Sequence, residues 1–130
     1  MNARQRFIAG YLECALWAES ANTDDSDDRS IGTVAELADE TKSVMEQEAG
    51  AFFDAHETIL TETELIRPKL CAVEEYAGHD FWLTRNGHGC GFWDGDWPEP
   101  TASTLDEASK AAGGRDLYIG DDGLIYQMEG

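Results

Sequence analysis

Asp80-Phe-Trp-Leu-Thr-Arg85 and Cys90-Gly-Phe-Trp-Asp94 flank Asn86-Gly87-His88-Gly89. Aromatic and β-branched residues on either side of Asn-Gly predict a β-hairpin, because the left-handed backbone of a tight two-residue turn suits Asn and Gly. A second hairpin is predicted downstream, where Asp116-Leu-Tyr-Ile119 and Leu124-Ile-Tyr-Gln127 enclose Gly120-Asp-Asp-Gly123. Between them Ser103 or Thr104 can cap a short helix from Leu105 to Ala112, stopped by Gly113-Gly114. Residues 77–130 therefore read as ββαββ.

Residues 1–76 read as helical. Phe7, Ile8, Tyr11, Leu12, Ala15 and Leu16 recur at the spacing of an amphipathic helix between Ala3 and Ser20. Thr33 and Glu36 have capping-box spacing and predict the start of a second, long helix. Its apolar face carries Val34, Leu37, Val44, Met45, Phe52 and Ile59; Glu48 falls on that face and needs a partner or an exposed edge. Thr61 to Thr63 offers a break, and Pro68 suits the first turn of a third helix through about Glu75. The sum is one α+β domain over residues 1–130, ordered αααββαββ, with helices packed on a small antiparallel sheet. Neither half alone would bury much core.

Charge is the strongest compositional signal. Twenty-seven acidic against nine basic residues leave a formal charge of −18 in a chain of 130 residues. From Ala21 to Glu64 there are thirteen acids against Arg29 and Lys42, a net of −11. Such a field repels free nucleic acid and anionic membrane and attracts basic surfaces, which in cells are mostly surfaces that bind nucleic acid. Self-repulsion costs stability, so counterions, a basic partner or oligomerisation are expected to help hold the fold. No apolar run approaches a membrane span, and the amino terminus lacks an export pattern. Cys14, Cys71 and Cys90, odd in number and widely spaced, read as reduced thiols in a cytoplasm.

The remaining constellations favour structure over chemistry. Asp24, Asp25, Asp27 and Asp28 resemble a calcium loop, but Arg29 and Ala35 stand where an EF-hand needs Gly and Glu. Cys71, His79, His88 and Cys90 match no zinc-site spacing, so no metal site is expected there. Gly87, Gly89 and Gly91 precede an aromatic stretch rather than a helix, which argues against a phosphate loop and a nucleotide cofactor. Asp94, Asp96, Asp121 and Asp122 lie beside Gly in turn chemistry. Phe81, Trp82, Phe92, Trp93 and Trp97 have only Arg85 as a nearby cation, so they are expected to pack in the core rather than stack on bases.

The string Ala77-Gly-His-Asp-Phe-Trp-Leu-Thr-Arg-Asn-Gly-His-Gly-Cys-Gly-Phe-Trp-Asp-Gly-Asp-Trp97, followed by Asp116-Leu-Tyr-Ile-Gly-Asp-Asp-Gly-Leu-Ile-Tyr126, resembles a family of small acidic bacteriophage and prophage proteins, mostly uncharacterised. The resemblance covers roughly the last 55 residues well and the acidic helix more loosely. It transfers no catalytic assignment, and relatives often carry a small residue in place of Cys90. Small acidic phage proteins include inhibitors of host restriction and CRISPR machinery that imitate DNA. By that analogy the chain is expected to be a non-enzymatic binding protein in the cytoplasm of an infected bacterium, with a basic host nucleic-acid-binding complex as partner.

The residues expected to carry that contact are Glu36, Asp39, Glu40, Glu46, Asp54 and Glu57, supported by Asp24, Asp25, Asp27 and Asp28. A helix of about 27 residues would be about 40 Å long, matching about twelve phosphates of one DNA strand. Two alternatives stand beside it: an acidic accessory protein whose charge serves solubility alone, or a small enzyme built on His79, His88 and Cys90.

Overall fold

The computed structural model describes residues 2–18, 36–67, 71–87 and 91–129. The elements are α1 (Ala3–Ala18), α2 (Asp39–Ala55), α3 (Glu57–Glu62), α4 (Val73–Arg85), α5 (Thr101–Ala111), β1 (Arg115–Ile119) and β2 (Ile125–Glu129). The class is α+β; among the described residues there are five helices and one two-stranded antiparallel sheet, in the order αααααββ rather than αααββαββ.

The difference lies in the stretch around Asn86. Residues 80–85 are the second half of α4, not a strand. Asn86 caps that helix and Gly87 follows at φ +70°, so the Asn-Gly pair supplies a helix stop with a left-handed residue rather than a hairpin turn. Phe81, Trp82, Leu83, Thr84 and Arg85 are all buried, and burial around the whole helix overrides the strand preference of the aromatics. The expected second strand is instead a loop pinned to α4, where the Phe92 amide donates to Thr84 Oγ1 at 3.1 Å.

The long helix is also shorter than expected. It begins at Asp39 rather than Thr33, which lies outside the described residues, and it breaks at His56. Its 17 residues span about 25 Å. The third helix starts at Val73 instead of Pro68, another position outside the described residues. The short helix starts at Thr101, and Glu99 accepts hydrogen bonds from the amide and hydroxyl of Ser103 in its first turn. The carboxyl-terminal hairpin forms as expected, with Tyr118 opposite Tyr126 and their rings stacked 5.7 Å apart.

The core is an aromatic column. Phe7 of α1, Phe52 of α2 and Phe81 of α4 stack, the last two with centroids 4.0 Å apart, and Phe92 and Trp97 extend the column into the loop. α1 and α4 cross where each has a glycine. A Cβ on Gly78 would lie 2.2 Å from the Phe7 carbonyl oxygen, and one on Gly10 would lie 2.3 Å from that of Glu75. Leu37, just ahead of α2, forms a parallel bridge with Ile125, and so ties the hairpin to the helices.

One cation is fully enclosed. Arg85 Nε donates to Gly113 O at 2.7 Å and Nη2 to Ala112 O at 3.1 Å, which satisfies carbonyls at the end of α5. Its Nη1 donates to the Tyr11 hydroxyl at 2.9 Å and lies 3.6 Å from Glu48, while the guanidinium sits 5.1 Å from the Phe81 ring centroid. Glu48 in turn holds Arg115 at 3.1 Å and accepts from Gln127 at 3.0 Å. The acid expected to need a partner on the apolar face of α2 has three.

Three outcomes follow for folding. Gly78→Ala should lose about 2 kcal/mol or more in urea unfolding despite the better helix propensity of Ala, because backbone must move; Gly87→Ala, with open space around it, should lose only about 1 kcal/mol. Arg85→Ala should cost about 3 kcal/mol or more by opening a buried gap and leaving the Gly113 and Ala112 carbonyls and the Tyr11 hydroxyl without their donor, although Glu48 keeps Arg115 and Gln127, against less than about 1 kcal/mol for Arg4→Ala, whose pair with Asp54 is exposed. Burial pushes the Tyr11 hydroxyl up to about 12, against the lowering effect of Arg85. Its folded form thus holds the proton more tightly than the unfolded one, so this contribution is intact below about pH 10 and is lost as pH rises through about 12. In denaturant melts across that window, Tyr11→Phe should give a shallower decline than the parent.

Candidate functional site

The glycine crossing sets what faces what between α1 and α4. Glu13 lies one turn beyond Gly10, while Glu75 and His79, four residues apart on one face of α4, bracket Gly78. One side-chain donor atom from each of Glu13, Glu75 and His79 lies within 4.8 Å of the others. Glu13 is exposed and the other two are half-buried. Burial lowers the His79 imidazole from its usual range, and Glu75 and Glu13 oppose that shift.

A cavity of about 330 Å³ adjoins the trio and is lined by Glu13 and His79 together with Cys14, Trp17, Tyr76 and Asp80. Its walls are held by polar contacts of buried Asp80 and Asp96. Asp80 Oδ2 accepts from Trp97 Nε1 at 2.6 Å, and Asp96 accepts from the Tyr76 hydroxyl at 2.5 Å while pairing with Arg67 at 2.8 Å. Burial, the bond to Asp96 and the nearby carboxylates all hold the Tyr76 hydroxyl protonated well above the usual tyrosine range, so it remains the donor to Asp96. The arrangement is acidic, enclosed on the α1 and α4 sides, and chemically suited to a cation.

The carboxylates expected to bind a partner are distributed. Asp24, Asp25, Asp27 and Asp28 lie outside the described residues. Glu36 is exposed just ahead of α2, and Asp39 and Glu40 are exposed in its first turn. Glu46 is half-buried and lines a shallow groove with Gln5 and Ile8. Asp54, near the other end of the helix, pairs with Arg4 at 3.1 Å, and Glu57 belongs to α3. Between Glu40 and Asp54 the exposed positions are Ser43, Val44, Gln47 and Ala51, so α2 carries its exposed acids at its ends and not as one 40 Å stripe.

His88 and Cys90 lie outside the described residues, so of the alternative cluster His79, His88 and Cys90 only His79 is described. Asp94 accepts from the Gly91 amide, and Asp122 accepts from the Leu124 amide and the Tyr126 hydroxyl, which is turn and hairpin chemistry. Phe81, Trp82, Phe92 and Trp97 are buried, whereas Trp93 is exposed. Glu13 and Glu75 are the site residues that sequence reasoning missed. The signal was present as Glu75-x-x-Gly78-His79, but it has meaning only once residues 73–85 are one helix.

Neither a family model, nor a curated protein, nor a solved structure matches this chain.

Proposed function

We propose that this protein is a non-catalytic binding protein whose carboxylate surface docks on a basic, nucleic-acid-binding surface of another protein and competes with nucleic acid for it. One observation supports this reading above others: the chain's own cations are largely committed to its fold. Arg4, Arg6, Arg67, Arg85, Lys110 and Arg115 each lie against an internal carboxylate. Asp39, Glu40, Glu57, Glu62 and Glu64 are exposed at the start of α2 and along and beyond α3, where they add to a field set by a net charge of −18.

A field of this sign accelerates encounter with a positive groove and excludes wrong partners by like-charge repulsion. Under the analogy with small acidic phage proteins, the competed protein belongs to a bacterial host's restriction or CRISPR machinery. Among the described residues no helix is long and apolar enough to cross a membrane.

The reading is tested by capture from bacterial lysate with and without double-stranded DNA, followed by binding measurements on the captured protein. DNA should release it. Reversal of Asp39, Glu40 and Glu57 to Lys should weaken the complex by about tenfold or more at low salt and flatten its salt dependence. Equal affinity of parent and triple variant at two salt concentrations would overturn the proposal.

A further inference from the structure

We propose that Glu13, Glu75 and His79 form a binding site for a divalent first-row transition cation of the zinc type, with its remaining coordination position beside the cavity between α1 and α4. This does not depend on the docking function proposed above.

The donor set is the first argument. Two carboxylates and one imidazole suit zinc and its neighbours, whereas magnesium and calcium favour oxygen-only shells. The imidazole sets this group apart from the many exposed acid pairs on the surface. Donors within 4.8 Å of each other need only a modest contraction, because ligands at about 2.0–2.2 Å from a common tetrahedral centre are about 3.4 Å apart. Glu13, being exposed, is free to rotate toward the other two.

Scaffold rigidity is the second argument. The missing Cβ atoms of Gly10 and Gly78 fix the separation of α1 and α4 within one turn of all three ligands. Glu75 and His79 project from one helix face one turn apart, and Glu13 meets them from the opposite helix, so no long loop has to be ordered on binding. Without a cation Glu13 and Glu75 repel each other; a divalent ion converts that repulsion into attraction.

The third argument is access. Three protein ligands leave a position for water or a ligand, the pattern of open zinc sites. Glu13 and His79 also line the cavity of about 330 Å³, whose other polar side chains include Tyr76, Asp80 and Asp94. A small molecule with an anionic or carbonyl oxygen could reach the ion there.

The test uses the full chain, stripped with EDTA and titrated with Zn²⁺ by calorimetry and with Co²⁺ by visible absorption, in millimolar Mg²⁺ to saturate weak carboxylate sites. One equivalent should bind, with cobalt bands of nitrogen and oxygen ligation. His79→Gln and Glu75→Gln should each weaken binding by at least about tenfold, as should Glu13→Gln, an exposed change that leaves the metal-free melting temperature unaltered. Asp39→Asn with Glu40→Gln should leave it unchanged. The proposal is overturned if Glu13→Gln binds Zn²⁺ as tightly as the parent. It also fails if the cobalt spectrum shows a thiolate charge-transfer band, which would place the ion on cysteine, or if the Asp39/Glu40 variant loses binding equally.

Discussion

Everything in this fold converges on the enclosed guanidinium of Arg85. It reaches α1 through the Tyr11 hydroxyl, α2 through Glu48 and the end of α5 through two carbonyls, while its flat face rests near Phe81. A buried charge is tolerated only when its hydrogen-bonding capacity is met, and here the partners come from α1, α2 and the residues after α5. Glu48 carries the same logic outward to Arg115 and Gln127, so the hairpin is joined to the helices by polar contacts as well as by Leu117 and Ile125 in the core. In a chain so short of cations, the placement of these few determines which acids are neutralised internally and which remain on the surface.

Packing and chemistry are linked at the α1 and α4 crossing. The two glycines that let the helices touch also bring Glu13 opposite Glu75 and His79. The aromatic column runs alongside, with Phe7 and Tyr11 from one helix against Phe81 and Trp82 from the other. The same contact thus supports the core on one side and arrays ionisable groups on the other.

Much of this was legible in the sequence, for reasons that can be named. The carboxyl-terminal hairpin was, because Gly120-Asp-Asp-Gly123 separates two short alternating segments, and Gly123 adopts φ +82° in the turn. So was α1, from its periodic apolar residues, and so was the need of Glu48 for a partner. What could not be read was α4. Asp-Phe-Trp-Leu-Thr-Arg has strand propensity and ends in Asn-Gly, and only packing against α1 and the Arg85 network decides for helix. Gly78, beyond the expected end of the third helix near Glu75, is instead a helix-interior contact point. That one misreading assigned Glu75 and His79 to separate elements and concealed their pairing. The partners of Arg85, drawn from α1, α2 and the residues after α5, have no signature in local spacing at all.

The bridge between Leu37 and Ile125 has a consequence for how the molecule is assembled. These residues are separated by most of the described chain, so α2 cannot acquire its final support until the hairpin has left the ribosome. Closure of this long loop comes late because its entropy must be met before the contact rewards it. The start of α2, which carries Asp39 and Glu40, therefore gains this support only once β2 is present.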